Sequence, residues 1–140
     1  MDWAVVLPRI AAALRPGAFL AIADGRALAD VPWSADLAPL IARYSTNREF
    51  RPYDLVAELT RRGLFGEVGR HRTRPAAFEQ SVDDYVESFH TRNGFSRERM
   101  TPRAANEFDD ALRALVLPHC ADGRVRGETR VSLVWGIPSR

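Results

Sequence analysis

Leu14-Arg15-Pro16-Gly17-Ala18-Phe19-Leu20-Ala21-Ile22-Ala23 reads as a helix stop followed at once by an apolar strand. Upstream, Trp3, Val6, Leu7, Ile10, Ala11 and Leu14 fall at spacings i, i+3, i+4, i+7, i+8 and i+11, one face of a helix over 2–14. Asp2 is placed to cap its first turn, and Arg15 suits the negative end of its dipole. Pro16 cannot continue the helix, and Gly17 tolerates the left-handed backbone of a C-terminal cap. Ala18 to Ala23 are apolar without alternation, which predicts a strand covered on both faces, as in parallel α/β sheets. With only one helix before it, this strand reads as the middle of a sheet rather than its beginning.

Downstream the chain alternates helices with two longer strands. Trp33, Leu37, Leu40, Ile41 and Tyr44 keep helical spacing, with Ser34 as the expected cap. Pro52 suits the first position of a helix running to Arg62 and closed by Gly63. Ser81 with Asp84 makes a capping-box pattern ahead of Val82, Tyr85, Val86 and Phe89. Thr101-Pro102 opens a helix whose stripe is Ala105, Phe108, Leu112, Leu115 and Val116. Asn93-Gly94 and Asp122-Gly123 mark turns. From Val125 to Trp135 the odd positions are mostly apolar, while Arg124, Arg126, Glu128, Arg130 and Ser132 hold the even ones. Period two over that length predicts a half-exposed antiparallel strand near a sheet edge. The first long strand lies near Glu67 to Pro75, and the helical stretch of about fifty residues between the two exceeds a simple connection.

Composition bounds the function classes. The 140 residues suit a single domain, and 46% hydrophobic with 27% charged is ordinary for a globular protein. No apolar run reaches the ~18 residues of a membrane span, and no signal-peptide pattern opens the chain, so the cytoplasm and no membrane are expected. The lone Cys120 gives neither a disulfide framework nor a metal cluster, and His119-Cys120 lacks further ligands or a base at suitable spacing. All 20 basic residues are arginine. A genome of high GC content accounts for this, and a phosphate-binding surface is the alternative. Against the alternative, 18 acidic residues are interspersed and the net charge is +2. The densest run, Arg70, Arg72 and Arg74, puts its side chains on one strand face and reads as solvated, so no nucleic-acid partner is expected.

Several of these stretches resemble class I S-adenosylmethionine-dependent methyltransferases. The opening helix, the Leu-Arg-Pro-Gly stop and the apolar strand are similar to that family's fifth strand and its preceding helix. Met1-Asp2-Trp3 resembles an internal segment, and the resemblance implies that Met1 is an internal methionine. Leu59-Thr60-Arg61-Arg62-Gly63-Leu64-Phe65 with Glu67-Val68-Gly69 resembles the helix, glycine turn and sixth strand. Ser88-Phe89-His90-Thr91-Arg92-Asn93-Gly94-Phe95-Ser96-Arg97 and Val134-Trp135-Gly136 look like one branch of the same enzymes, so the resemblance covers the chain. Ala18 stands where a second glycine is usual. The glycine-rich loop after the first strand and the acidic end of the second, which hold the cofactor in the family, have no counterpart here.

The resemblance implies a fold class: α/β, a partial Rossmann-like methyltransferase sheet made of the last three strands, the final one antiparallel, with flanking helices and a helical lid insertion. Residues 1–140 then form a single domain, and 76–121 are the helical insertion over the substrate. In that fold the strand Ala18 to Ala23 lies between the fourth strand and the seventh, and only the latter, Val125 to Trp135, is supplied.

Few polar residues carry chemistry. His90 ends the Ser81-capped helix and sits in the family-like Phe-His-Thr-Arg stretch. It reads either as a helix-end cap or as a substrate-pocket residue. Asp24-Gly25 closes the apolar strand at its carboxyl end, where open α/β sheets place ligands, and is otherwise a turn. Tyr44, Arg51 and Tyr53 surround the loop entering the helix toward Arg62, lining a pocket or anchoring that loop. His71, between arginines, reads as a surface residue. No metal site is expected. S-adenosyl-L-methionine is implied for a complete enzyme, with Trp3 the one residue placed near its edge or else simply core. Since the sulfonium carries the reactivity, such an enzyme mainly positions its acceptor. The expected function is the C-terminal, substrate-side portion of such a methyltransferase, inactive alone, acting on a small-molecule methyl acceptor. A non-catalytic module pairing through an exposed sheet edge is the alternative, with self-association or a missing N-terminal half bound in trans.

Overall fold

A computed structural model describes residues 2–27, 31–49, 51 and 53–139. The chain is α/β, with a four-stranded, mostly antiparallel sheet and flanking helices. It divides into two compact units: Met1–Arg26, Arg51–Pro75 and Arg130–Arg140 form the first, Ala27–Phe50 and Ala76–Thr129 the second.

In the first unit, α1 (Trp3–Ala13) starts where Asp2 accepts the Ala4 N–H at 3.0 Å, and Gly17 follows it with φ +78°. β1 spans Leu20–Ala27. A second helix, Leu55–Arg61, begins later than Pro52 predicts, because Asp54 supplies the cap by accepting the Ala57 N–H at 2.9 Å; Pro52 itself lies outside the described residues. Gly63, at φ +66°, turns the chain into β2 (Phe65–Arg72). The last strand, β4 (Arg124–Pro138), pairs antiparallel with β2 from Phe65 opposite Pro138 to Arg72 opposite Ser132, with a bulge at Val68. The strand order is β1-β4-β2. Leu7, Leu59 and Phe65 form the core, joined by Trp3, Ile10, Leu20, Ile22, Leu55 and Val134.

Two expectations are corrected here. β1 is not covered on both faces: Leu20 and Ile22 pack on the core while Ala21 and Ala23 are exposed. Both helices of this unit lie on the Leu20 side, so a run of six apolar residues still ends up with one covered face. Nor is β4 an edge strand, since β1 and β2 flank it. Its alternation, which suggested an edge, holds from Arg124 to Arg130 and then gives way to partly covered positions on both sides.

Gly136 is where β2 and β4 approach too closely for a side chain. A Cβ there would overlap the Gly66 carbonyl oxygen and stand 2.6 Å from the Phe65 ring. The obstruction is paired backbone, which cannot swing aside, whereas at Gly69 the obstruction is only the Trp135 ring. Gly136→Ala is expected to destabilise the unit by about 1–3 kcal/mol, and Gly69→Ala by less, as read by thermal denaturation followed by circular dichroism. Equal melting of both variants would refute the distinction.

In the second unit, the helix Ser34–Tyr44 is followed in order by β3 (Ala76–Ser81), the helices Val82–His90 and Pro102–Val116, and a 3-10 turn at Leu117–His119. With Leu55–Arg61 as α3, these helices are α2, α4 and α5. The expected Ser34 cap is corrected: Trp33 occupies the cap position without a capping bond, and is instead buried, donating its indole N–H to Tyr85 Oη at 3.2 Å. β3 is a strand where a wholly helical segment over 76–121 is expected. It pairs antiparallel with β4 from Ala76 opposite Thr129 to Ser81 opposite Arg124. The capping pattern before α4 is realised, with the Asp84 N–H donated to Ser81 Oγ at 3.0 Å. Thr101 caps α5 in the same way through the Ala104 N–H. The α4 and α5 stripes close on one another: Val86, Phe89, Phe108, Leu112 and Val116 are fully buried, with Val125 of β4 beneath them.

Candidate functional site

The candidate residues divide between the two units. In the second, α4 turns His90 into the interior, where both ring nitrogens are engaged. Nδ1 stands 2.7 Å from the Phe95 carbonyl oxygen and Nε2 stands 2.7 Å from Asp109 Oδ1. The ring thus bridges a backbone carbonyl and a carboxylate. The other Asp109 oxygen accepts from Arg97 at 3.3 Å, and Arg97 also bonds Glu87 at 2.5 Å. That bond holds the Glu87 carboxyl below its ordinary range and raises the guanidinium. His90 thereby fastens α4, the following loop and α5 together. Asp109, nineteen positions away, carries no sequence signal that would have paired it with His90.

Tyr44, the last residue of α2, lines a cleft of about 340 Å³. The wall on its side is Arg43, Ser45, Thr46 and Arg48, and Arg99, Met100, Thr101 and Ala104 face them from the loop before α5 and its first turn. The loop is locked to the end of α2, since Thr46 donates both its N–H (2.9 Å) and its hydroxyl (3.1 Å) to the Gly94 carbonyl. Gly94 has no room for a side chain, because a Cβ would stand 2.5 Å from Ser45 Oγ. The expected turn at Asn93-Gly94 thus becomes one edge of the cleft. Sequence reasoning found Tyr44 but missed the arginines beside it, which an all-arginine composition conceals.

In the first unit the structure brings Trp3 and Tyr53 together: the indole Nε1 donates to Tyr53 Oη at 3.5 Å. Trp3 is partly buried against the core, while Tyr53 is 58% exposed. Arg51 and Asp24 are exposed. Asp24-Gly25 is neither a turn nor the end of its strand, because β1 continues to Ala27. Of the arginine run on β2, Arg70 forks onto Glu67 with two 2.6 Å bonds, and His71 and Arg72 are exposed.

Cys120 is buried, and burial pushes its thiol up, which disfavours the thiolate. His119 stacks on Trp33 at 5.6 Å. Among the described residues no group of three or more His, Cys, Asp or Glu could hold a metal ion, and no helix is long and apolar enough to cross a membrane. Nor do the residues present fit S-adenosyl-L-methionine. Gly17 and Gly63 end helices, Gly25, Gly66, Gly69, Gly127 and Gly136 lie inside strands, Gly94 joins two helices and Gly123 precedes β4. None forms a strand-to-helix loop able to approach a cofactor closely. What the second unit does offer is a polar cleft and a helical frame held by His90. No family model and no curated protein matches the chain.

Proposed function

We infer that this chain is the C-terminal, substrate-side portion of a class I S-adenosylmethionine-dependent methyltransferase, with a Rossmann-like sheet, and that it is inactive alone. The observation that carries the reading is the strand order β1-β4-β2, in which the last strand of the chain inserts beside the first and runs antiparallel to β2. The resembling fold has that arrangement in its last three strands. The placement of β1 after a helix closed by Arg15-Pro16-Gly17 supports it. So does the sheet face opposite α1 and α3, where Ala21, Ala23 and Ile137 are exposed. In this reading the chain contributes the acceptor side and the cofactor is held by segments it does not supply.

Isothermal titration with S-adenosyl-L-methionine tests this on two proteins: residues 1–140, and the product of the reading frame extended upstream of the Met1 codon. No saturable binding is expected for the first, and micromolar binding for the second. Saturable binding by residues 1–140, or none by the longer product, would refute the reading. The second result favours the alternative of a non-catalytic module, for which the observation is that β1 ends the strand order, with β4 as its one neighbour among the described residues.

A further inference from the structure

We propose that the cleft at the end of α2 binds a small organic anion, its carboxylate or phosphate group held by the guanidinium groups of Arg43 and Arg99. Nothing in this depends on methyl transfer, and its test contains no methyl donor. Among the described residues, Arg43, Arg48 and Arg99 line the cleft and no carboxylate does. Elsewhere in the same unit Arg97, Arg103, Arg113, Arg124 and Arg126 each hold a carboxylate, while Arg92 lies over the Phe89 ring. Arg43 and Arg99 are fixed by groups that leave their charge in place. Arg43 lies over the Tyr44 ring at 5.1 Å, and Arg99 donates to the Asn93 side-chain oxygen at 2.8 Å. Among the described residues neither has a carboxylate within ion-pair distance.

Arg48 acts differently. It donates to the carbonyls of Ala42 (2.9 Å) and Arg43 (3.1 Å). Those groups form the negative end of α2, which would otherwise repel an anion in the cleft. Hydroxyls add neutral donors. Ser45 Oγ accepts the Asn47 N–H and Thr101 Oγ1 accepts the Ala104 N–H, so each keeps its own hydrogen for a ligand. The buried Met100 and partly buried Ala104 supply an apolar floor. A volume of about 340 Å³ is at the small end of ligand pockets, which span roughly 300–1,000 Å³. Guanidinium forks match the planar or tetrahedral oxygens of carboxylate and phosphate alike. The occupant is therefore a compact anion with some apolar body, and the two headgroups are separated by experiment.

The probes are benzoate, phenyl phosphate and neutral benzyl alcohol, titrated into the full chain at low ionic strength while backbone amide NMR shifts are followed. Saturable shifts of Ser45, Thr46 and Thr101 are expected with at least one of the two anions, and the tighter one identifies the headgroup. Benzyl alcohol should not saturate. The double substitution Arg43→Gln/Arg99→Gln should weaken binding about tenfold or more, the loss of at least one charge-assisted bond. The matched control Arg103→Gln/Arg113→Gln removes the same charge from carboxylate-paired arginines and should leave affinity within about twofold, since exposed pairs are worth little. Arg43, Arg99 and Arg103 are exposed and Arg113 is half-buried, and circular dichroism checks that each variant folds. No saturation by either anion, equal binding of benzyl alcohol, shifts centred away from the cleft, or equal loss in the control would each overturn the proposal.

Discussion

Phe108→Ala is expected to remove about 3–5 kcal/mol from the stability of the second unit, the usual cost of truncating a buried aromatic side chain. Phe108 has no exposed surface, and its ring is surrounded by Phe95 (4.6 Å between centroids), Phe89 (5.6 Å), Tyr44 (5.8 Å) and His90 (6.1 Å). These neighbours come from α4, the loop after it and the end of α2, and none can move into the vacated space without breaking its own contacts. His90 is held by two hydrogen bonds, and the chain beside Tyr44 is pinned through Thr46 to Gly94. The cavity therefore stays largely open, which puts the loss toward the upper part of the range. Whole domains are stable by only about 5–15 kcal/mol, so the variant forfeits at least about a fifth of that reserve. Phe108→Leu keeps most of the buried apolar area and should lose clearly less. Urea denaturation with near-ultraviolet circular dichroism measures both. A loss below about 1 kcal/mol for the alanine variant would mean that the rings repack, and that Phe108 is not the keystone of this core.

Helices were legible because their signals are local. Asp2, Ser81 and Thr101 cap where their side chains predict, and the α4 and α5 stripes are the buried faces. α2 shows the limit: Ser34 has capping chemistry, but burial of Trp33 against Tyr85 decides where the helix begins. The strands were legible in existence and less so in environment. An apolar run such as Ala18 to Ala23 states what a strand tolerates, and only the placement of helices decides whether a second face is covered. β3 escaped notice because Ala76 to Ser81 is short, with Phe78 its one large apolar residue; its partner on β4 lies about fifty positions away. The candidate site suffered the same limit. Tyr44 was marked by its neighbourhood in sequence, whereas the Arg99 and Thr101 side of the cleft is brought there by the Thr46–Gly94 lock. Contacts of that separation leave no period or spacing to read.

His90→Leu is expected to cost about 2–5 kcal/mol, because it strands two hydrogen-bond partners in the interior at about 1–3 kcal/mol each. The ring side chain is 3% exposed and Asp109 13%, so little water reaches either group. Without the imidazole, the Asp109 carboxylate keeps only the 3.3 Å contact with Arg97, a half-exposed side chain already shared with Glu87. The Phe95 carbonyl loses its Nδ1–H donor and, buried with its residue, has no equivalent replacement. Both deficits arise because leucine fills the space but supplies no hydrogen, so lost hydrogen bonding rather than lost volume sets the magnitude. Asp109→Asn tells the two contacts apart. Its side-chain amide can still bond Nε2 and the Nδ1 bond to Phe95 is untouched, so it should cost distinctly less. The double variant His90→Leu/Asp109→Leu removes the stranded carboxylate and should be more stable than the sum of the two leucine singles, with a coupling of at least about 1 kcal/mol as expected for directly bonded partners. Chemical denaturation of the four proteins in this cycle yields the coupling. Strict additivity would show that His90 and Asp109 act independently, and that α4 and α5 are joined by their apolar stripes alone.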